Sequence, residues 1–511
     1  MSSADEKSEP TEASASSTPP SFLDRFRLPR TFWMLCTMEM WERLAYYGLR
    51  VVVGVYIAQA DVVGGLHWTQ ADRATIFFWW SIFQSVLPTF TGGLADRYGY
   101  KNTIFVSITL KLAGYVLMGL SRSYWPFFAG AMLLATGTAL FKPGIQGSLA
   151  HNLEKKTGST GWGIFYWLVN VGAMIGPGFA SWLRGENNWP MVFYGCAAIV
   201  SINYGMLFTY KEPPSGYDTT KSVTVVMRET FANFFEWRLL AFLAILTGFW
   251  LMMYQLWDFH PFFISDWVDS SDVAGTLTFL PDSWVEELGG RPDQIGQEHL
   301  LNLNAALIVL LMVPVSGLVA RFRTLTAMIG GMTVATMGIL VSGLFASGWM
   351  FLLGVVFFSL GEMLTGPKKT EYLGYIAPPG KKGLYLGYVN IPVGVGQALG
   401  ATLSAWVYAR FGEKAMLSQR YLAEHADVLG REVTWNGDPL TLGEATGIPR
   451  DEAFVTLCER LGQDGGTVTR MLWDTYDPWV CWLPFAAIGV VSVVALLVFS
   501  RAARRWKDLD H

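Results

Sequence analysis

One stretch near the start of the chain sets two carboxylates, a guanidinium and two phenols among apolar residues. Thr31 to Gly48 contains Glu39, Glu42, Arg43, Tyr46 and Tyr47, and mostly apolar sequence continues to Ala58. These five residues fall at i, i+3, i+4, i+7 and i+8, which is one face of one helix. A charge at the centre of a membrane helix costs about 2.5–3.5 kcal/mol on insertion scales, so three without partners would cost on the order of 8–10 kcal/mol. A chain keeps such a stripe where it faces a bundle interior or a water-filled path. Carboxylates beside a guanidinium can take up and release protons and can hold a charged solute.

Further polar residues interrupt apolar segments downstream. Lys142 stands before Pro143 in Gly137–Gly144, and proline frees a backbone carbonyl there, which argues against a plain lipid-facing helix. Asn170 follows Phe165, Tyr166 and Val169; it suits a hydrogen bond to a neighbouring helix and a solute contact equally. Trp250, Tyr254 and Asp258 share a face at i, i+4 and i+8, aromatic and then acidic, with Gln255 and His260 nearby. His260 reads as packing rather than as a proton relay. Glu362 follows Gly361 after the apolar run Phe351–Leu360 and needs either a cationic partner or a proton. Lys368, Lys369 and Glu371 lie two turns on, toward the cytoplasmic mouth. Lys111 is assigned a snorkelling or intrabundle structural role.

The elements that must position these residues are membrane spans. The chain has 511 residues, 52% hydrophobic and 15% charged, with 22 Trp and 33 Phe; its mean hydropathy is +0.32. Twelve segments approach the roughly 20 residues a helix needs to cross a bilayer: 30–59, 70–94, 101–121, 124–150, 161–183, 189–210, 238–266, 297–321, 324–346, 348–377, 383–410 and 476–500. The expected fold is an all-α membrane protein of two six-helix bundles, 30–210 and 238–500. A cytoplasmic linker, 211–237, joins them, cytoplasmic tails occupy 1–29 and 501–511, and extracytoplasmic loops lie at 267–296 and 411–475. Both termini are placed in the cytoplasm because Arg25, Arg27, Arg30, Arg97, Lys101, Lys155, Lys156, Lys211, Lys221, Arg228, Arg321, Arg323, Lys381, Lys382 and Arg501 then fall on one side. Residues 1–20 are rich in Ser, Pro, Thr and Glu without an apolar core, unlike a signal peptide. Four cysteines make no disulfide framework or metal motif. A net charge of −4 without a basic, aromatic-rich tract argues against a nucleic-acid partner.

Equal halves with a solute site between them near the midplane are a transporter arrangement. Gly92, Gly93, Asp96 and Arg97 sit in the cytoplasmic turn after the second span, where small residues allow close helix approach and the charges pair at a helix end. That turn resembles the loop signature of the major facilitator superfamily.

Four motifs in order resemble the proton-dependent oligopeptide transporter (POT) family of that superfamily. They are Glu39-x-x-Glu42-Arg43-x-x-Tyr46-Tyr47-Gly48, Lys142-Pro143, Phe165-Tyr166-x-x-Val169-Asn170-x-Gly172, and Gly361-Glu362 with Pro367, Glu371 and Ala377-Pro378. The resemblance implies that Glu39, Glu42, Arg43 and Lys142 couple to protons. It also implies that Arg43, Tyr46, Tyr47, Lys142, Asn170, Trp250, Tyr254, Asp258, Asn304, Glu362 and Tyr388 bind substrate. Arg43 and Lys142 would face a peptide carboxylate and Glu362 the amino terminus. Departures from the family pattern are Leu44, Gly144, Ser85, Ala305, Tyr388 and Tyr254. The last stands where a glutamate usually pairs with the span-four lysine, and Asp258, one turn on, would substitute.

The implied function is proton-coupled import of di- and tripeptides by a monomeric, multi-pass protein of the cell membrane that is not an enzyme. It needs no cofactor beyond protons. The alternatives are a transporter of the same fold with a non-peptide solute, an intramembrane enzyme, or a non-transporting receptor; no clustered nucleophile, metal motif or nucleotide loop supports the enzyme.

Overall fold

The protein's computed structural model describes residues 28–88, 95, 97–153, 158–185, 187–212, 235–319, 321–378, 385 and 387–503. Gly92, Gly93 and Asp96 of the loop motif lie outside them; Arg97 is described and lies 6.0 Å from the centre of the Tyr98 ring.

The first half comprises α1 (Arg30–Ala58), α2 (Gln70–Val86), α3 (Tyr100–Leu120), α4 (Tyr124–Asn152), α5 (Gly158–Arg184) and α6 (Trp189–Thr209). The second comprises α7 (Trp237–Met253), α8 (Gln297–Val319), α9 (Thr324–Leu344), α10 (Gly348–Ile376), α11 (Asn390–Phe411) and α12 (Leu483–Ala503). Among the described residues, nine helices are long and apolar enough to cross a membrane; α1, α2 and α11 are not among the nine. The charges of α1 explain its absence: Glu39, Glu42, Arg43 and Arg50 are all buried within it.

Local chemistry starts and seats these helices. At α2, Thr69 Oγ1 accepts from the Asp72 amide at 3.1 Å while Asp72 accepts from the Thr69 amide at 3.1 Å, a reciprocal cap on two otherwise orphaned donors. In α5, glycines let two backbones touch. A methyl carbon at Gly172 would lie 2.4 Å from Met40 O, and one at Gly176 would lie 2.5 Å from Leu44 O. Only glycine permits that approach, and it fixes which face of α1 turns inward. On another side, Asn203 of α6 donates to Met38 O at 3.1 Å.

Two features depart from the expected all-helical spans and plain loops. The seventh span is not one helix: α7 ends at Met253 and is followed by Gln255–Asp258 and His260–Trp267, with Pro261 at the start of the last piece. Proline cannot donate to the preceding turn, so a continuous helix is interrupted there. Between that span and α8 lies an antiparallel hairpin, β1 (Val285–Leu288) and β2 (Arg291–Ile295), turning through Gly289 and Gly290, both with positive φ.

The segment after α11 is a helical cap, with helices Lys414–Glu424, Ala453–Leu461 and Gly465–Tyr476. Arg450 ties it to the first half, donating to Trp68 O at 3.0 Å while pairing with Glu413. Burial pulls on the Arg450 charge, but Glu413 outweighs it and holds the guanidinium above its usual pKa. At the hairpin, Arg184 of α5 bridges Glu286 and Glu298 of the second half, each at 2.9 Å. Burial, with Glu298 beside it, pushes the Glu286 carboxyl up despite Arg184.

Candidate functional site

The inward face of α1 carries a closed charge cluster. Glu39, Glu42 and Arg43 are each at most 5% exposed. Arg43 Nε lies 3.1 Å from Glu39 and its Nη2 lies 2.5 Å from Glu42. The other oxygen of Glu42 meets Lys111 of α3, a lysine with no exposure at all. Lys111 does not snorkel. Its ammonium lies 4.0 Å from the Phe141 ring centre, and Gly137 of α4 leaves room for its stem. The sequence alone offers this lysine no partner. The signal is its isolation: a lysine at mid-span, far from either end, has no interface to reach.

Lys142 lies within electrostatic reach of Glu39, Glu42 and Arg43. It makes no ion pair with a described residue. Arg43 also sits 5.2 Å from the Tyr46 ring centre, and Tyr46 packs edge-on against Tyr47 at 5.2 Å.

Tyr47 then lines a narrow cavity of about 60 Å³ between the halves, together with Asn170, Pro177, Trp257, Asn304 and Glu362. Asn304 donates to Glu362 at 3.1 Å and to Ser359 at 3.0 Å. Asn170 uses one amide proton on Tyr166 O at 2.8 Å. The structure therefore brings together the α1 stripe, Lys142, Asn170, Asn304 and Glu362 from five helices. Trp257, which no sequence motif singles out, is on the wall. Trp250 and Tyr254 stand beside it, Tyr254 packing at 5.9 Å from Trp250 and 5.6 Å from Trp257.

Two expected site residues stand apart from this cavity. Asp258 does not answer Lys142. It is fully buried, paired with Arg50 of α1, and its backbone carbonyl accepts from Arg73 of α2 at 2.5 Å. The broken seventh span carries it away from the cluster and into a seam between the halves. Tyr388 is buried against Tyr385, ring centres 5.8 Å apart, and is not on the cavity wall. Arg50 itself is legible in the sequence, since it continues the α1 stripe seven residues after Arg43. His260 packs as expected, its ring 4.1 Å from Trp482 and its Nε2 2.8 Å from Ser342 Oγ.

Among the described residues no cluster of three His, Cys, Asp or Glu could hold a metal ion. The arrangement can store protons on carboxylates and oppose a cationic end to an anionic end across two bundles.

Comparison with known proteins settles the lineage. The sequence model of the Major Facilitator Superfamily matches residues 43–266 and 262–419. The chain belongs to that superfamily. Within it, the chain is 31% identical over 180 residues to an uncharacterized transporter, YclF, of Bacillus subtilis (strain 168), covering 34% of this chain and 36% of the relative. It is 28% identical over 197 residues to dipeptide and tripeptide permease A of Escherichia coli (strain K12), covering 38% and 37%. The matched stretches thus span little more than a third of these superfamily relatives' length. A POT family transporter crystallised with a thioalcohol-conjugated peptide superposes with a TM-score of 0.65 at 14% identity, over 94% of this chain and 97% of that one. Another, crystallised with 5-aminolevulinic acid, gives 0.64 at 15%, over 94% and 97%. The structural likeness establishes the fold, and the resemblance to the POT branch of the superfamily is borne out.

Proposed function

We propose that this chain is a proton-coupled symporter that imports di- and tripeptides by alternating access. In this reading twelve helices span the cell membrane, both termini are cytoplasmic, and the cap and hairpin lie outside. The observation that carries it is the opposition of the Arg43–Lys142 side of the first half to Glu362 of the second. A peptide presents a carboxylate at one end and an ammonium at the other, and such a pair of sites binds both ends only when the halves close on it. The named relative supports the substrate class, being a dipeptide and tripeptide permease.

The proton enters this scheme at Glu39 and Glu42. Neutralising either weakens its pairing with Arg43, which frees the guanidinium for the peptide carboxylate and shifts the balance between conformations. The outer end is held shut by Arg50–Asp258 and by Arg184 on Glu286 and Glu298, so outward opening must break them.

The test is uptake of a labelled dipeptide into proteoliposomes with and without an inward proton gradient. Accumulation only with the gradient is expected. Accumulation indifferent to the gradient removes the coupling, and no dipeptide uptake or competition leaves a same-fold carrier of another solute.

A further inference from the structure

A second, larger cavity lies between the halves, one helical turn from the first. Val51 of α1, Pro177 of α5 and Leu301 of α8 line the narrow cavity. Val55, Ser181 and Gln297, each four residues along the same three helices, line the larger one, which measures about 1120 Å³. The offset runs toward the hairpin and the cap, which add Glu286 and Phe454 to its wall. Its charge is one-sided. Among the described residues the wall carries Asp61, Glu286, Glu287 and Glu459, and Arg184 is the only lysine or arginine on it. Asp61 has Lys414 at 4.0 Å. Arg184 serves Glu286 and Glu298 at once, so that trio is one positive charge short.

Buried acceptors without donors stand on the same wall. Gln297 is 2% exposed and His299 8%. Gln297 Nε2 donates to Val51 O at 3.4 Å, which commits the nitrogen and leaves Oε1 free. Among the described residues neither that oxygen, nor Glu286 Oε1, nor either ring nitrogen of His299 has a hydrogen-bond partner. Burying such atoms is costly unless a donor reaches them. Two of these side chains converge on one spot: a methyl carbon at Gly296 would lie 2.8 Å from Glu286 Oε1 and 3.3 Å from His299 Cδ2. Trp284 stacks flat on the His299 ring, centres 4.4 Å apart, and holds it there. An ammonium suits this set, since it brings three N–H donors and one compact positive charge. A carboxylate only accepts, and it would meet an acidic wall.

We propose that the larger cavity is a second binding site, specific for primary ammonium groups and built from Glu286, Gln297 and His299. Glu286 Oε1 takes the ammonium while its other oxygen stays with Arg184. In the alternating-access reading above, a solute arriving from the hairpin side sets its ammonium here before it reaches Glu362. The site itself does not require that the solute be a peptide.

The experiment is calorimetric titration of the purified full chain with phenethylammonium and with phenethyl alcohol, which has nearly the same shape and no charge. It is run at about pH 8, where an imidazole is ordinarily neutral. The ammonium is expected to bind about tenfold more tightly than the alcohol, or better, in the native protein. The preference should persist in Glu362→Ala, which removes the carboxylate of the narrow cavity. It should be lost in His299→Phe, which keeps the ring stack on Trp284 but has no nitrogen, and in Gln297→Leu. Equal binding of the two probes by the native protein overturns the proposal, as does no binding of either. A preference lost in Glu362→Ala and kept in His299→Phe also overturns it, by placing the ammonium in the narrow cavity. The native comparison needs no variant, so poor folding of a substituted protein does not shield the idea. Dipeptide uptake is a separate measurement, and its failure leaves this site standing.

Discussion

Lys111 of α3 and Glu42 of α1 form an ion pair with essentially no solvent access on either side. Glu42 therefore forms ion pairs with two cations, Lys111 and Arg43, whereas among the described residues Glu39 forms an ion pair with Arg43 alone. The two carboxylates of one sequence motif are thus electrostatically unequal, and they should respond differently to substitution.

Removing Lys111 leaves Glu42 short of a counter-charge. Lys111→Met is expected to lower stability by less than the about 3–5 kcal/mol of orphaning a buried charge, because Arg43 still pairs with Glu42. Adding Glu42→Gln should restore part of the loss, because the under-compensated carboxylate is then neutral. Thermal unfolding of the three variants in detergent checks this. A double variant no more stable than Lys111→Met would show that the lysine acts by packing against Phe141 instead.

Proton coupling should fail before transport does. Glu39→Gln and Glu42→Gln are each expected to abolish uptake driven by a pH gradient while counterflow exchange of the dipeptide stays measurable. Concentrative uptake retained in both variants would remove these carboxylates from the coupling path.

Glu362→Ala should leave a folded protein that no longer binds peptide, since the carboxylate contributes to the cavity and, among the described residues, is held by one side-chain hydrogen bond, from Asn304. Titration of the purified variant, alongside its unfolding curve, separates lost binding from lost fold. Unchanged affinity would rule out its role at the amino terminus.

The cap should loosen in acid. Glu424 accepts from the Tyr476 hydroxyl at 2.7 Å and from Arg420 at 2.8 Å. Burial pushes its pKa up, but these two donors outweigh burial and hold the carboxyl below its ordinary range. A carboxylate with a depressed folded pKa contributes stability that is complete above the unfolded value, about 4.3, and is lost as pH falls through the folded one. Proteolysis within 425–475 should therefore accelerate below about pH 4. In Glu424→Gln, cleavage at neutral pH should rise and the acid-dependent increment should shrink. The pair is partly exposed, so the effect is small.

The α1 stripe is readable from spacing because one helix face needs no knowledge of its neighbours. Glu362 is readable for the same reason: an isolated carboxylate in a long apolar run must find a partner or carry a proton, wherever the other helices lie. What escapes the sequence are relationships between helices. Lys111 is visible as a residue but not as the partner of Glu42, since nothing along the chain reports which faces of α1 and α3 meet. The expectation for Asp258 extends the Trp250–Tyr254 helical face one more turn, and the breaks after Met253 and at Phe259 turn it toward Arg50 instead. The segment 411–475 reads as a long connection because its helices are short and amphipathic, and their burial depends on the hairpin and on the end of α1.

The interruption at Tyr254 also has a mechanical meaning. An unbroken helix transmits tilt from one end to the other as a lever does. A helix cut into Trp237–Met253, Gln255–Asp258 and His260–Trp267 behaves as linked segments with joints between them. The outer segments can stay fastened to Arg50 and Arg73 while the inner one follows its own bundle. In the proposed alternating-access cycle the two ends would then move in sequence instead of in unison, as a lock chamber keeps one gate shut while the other swings.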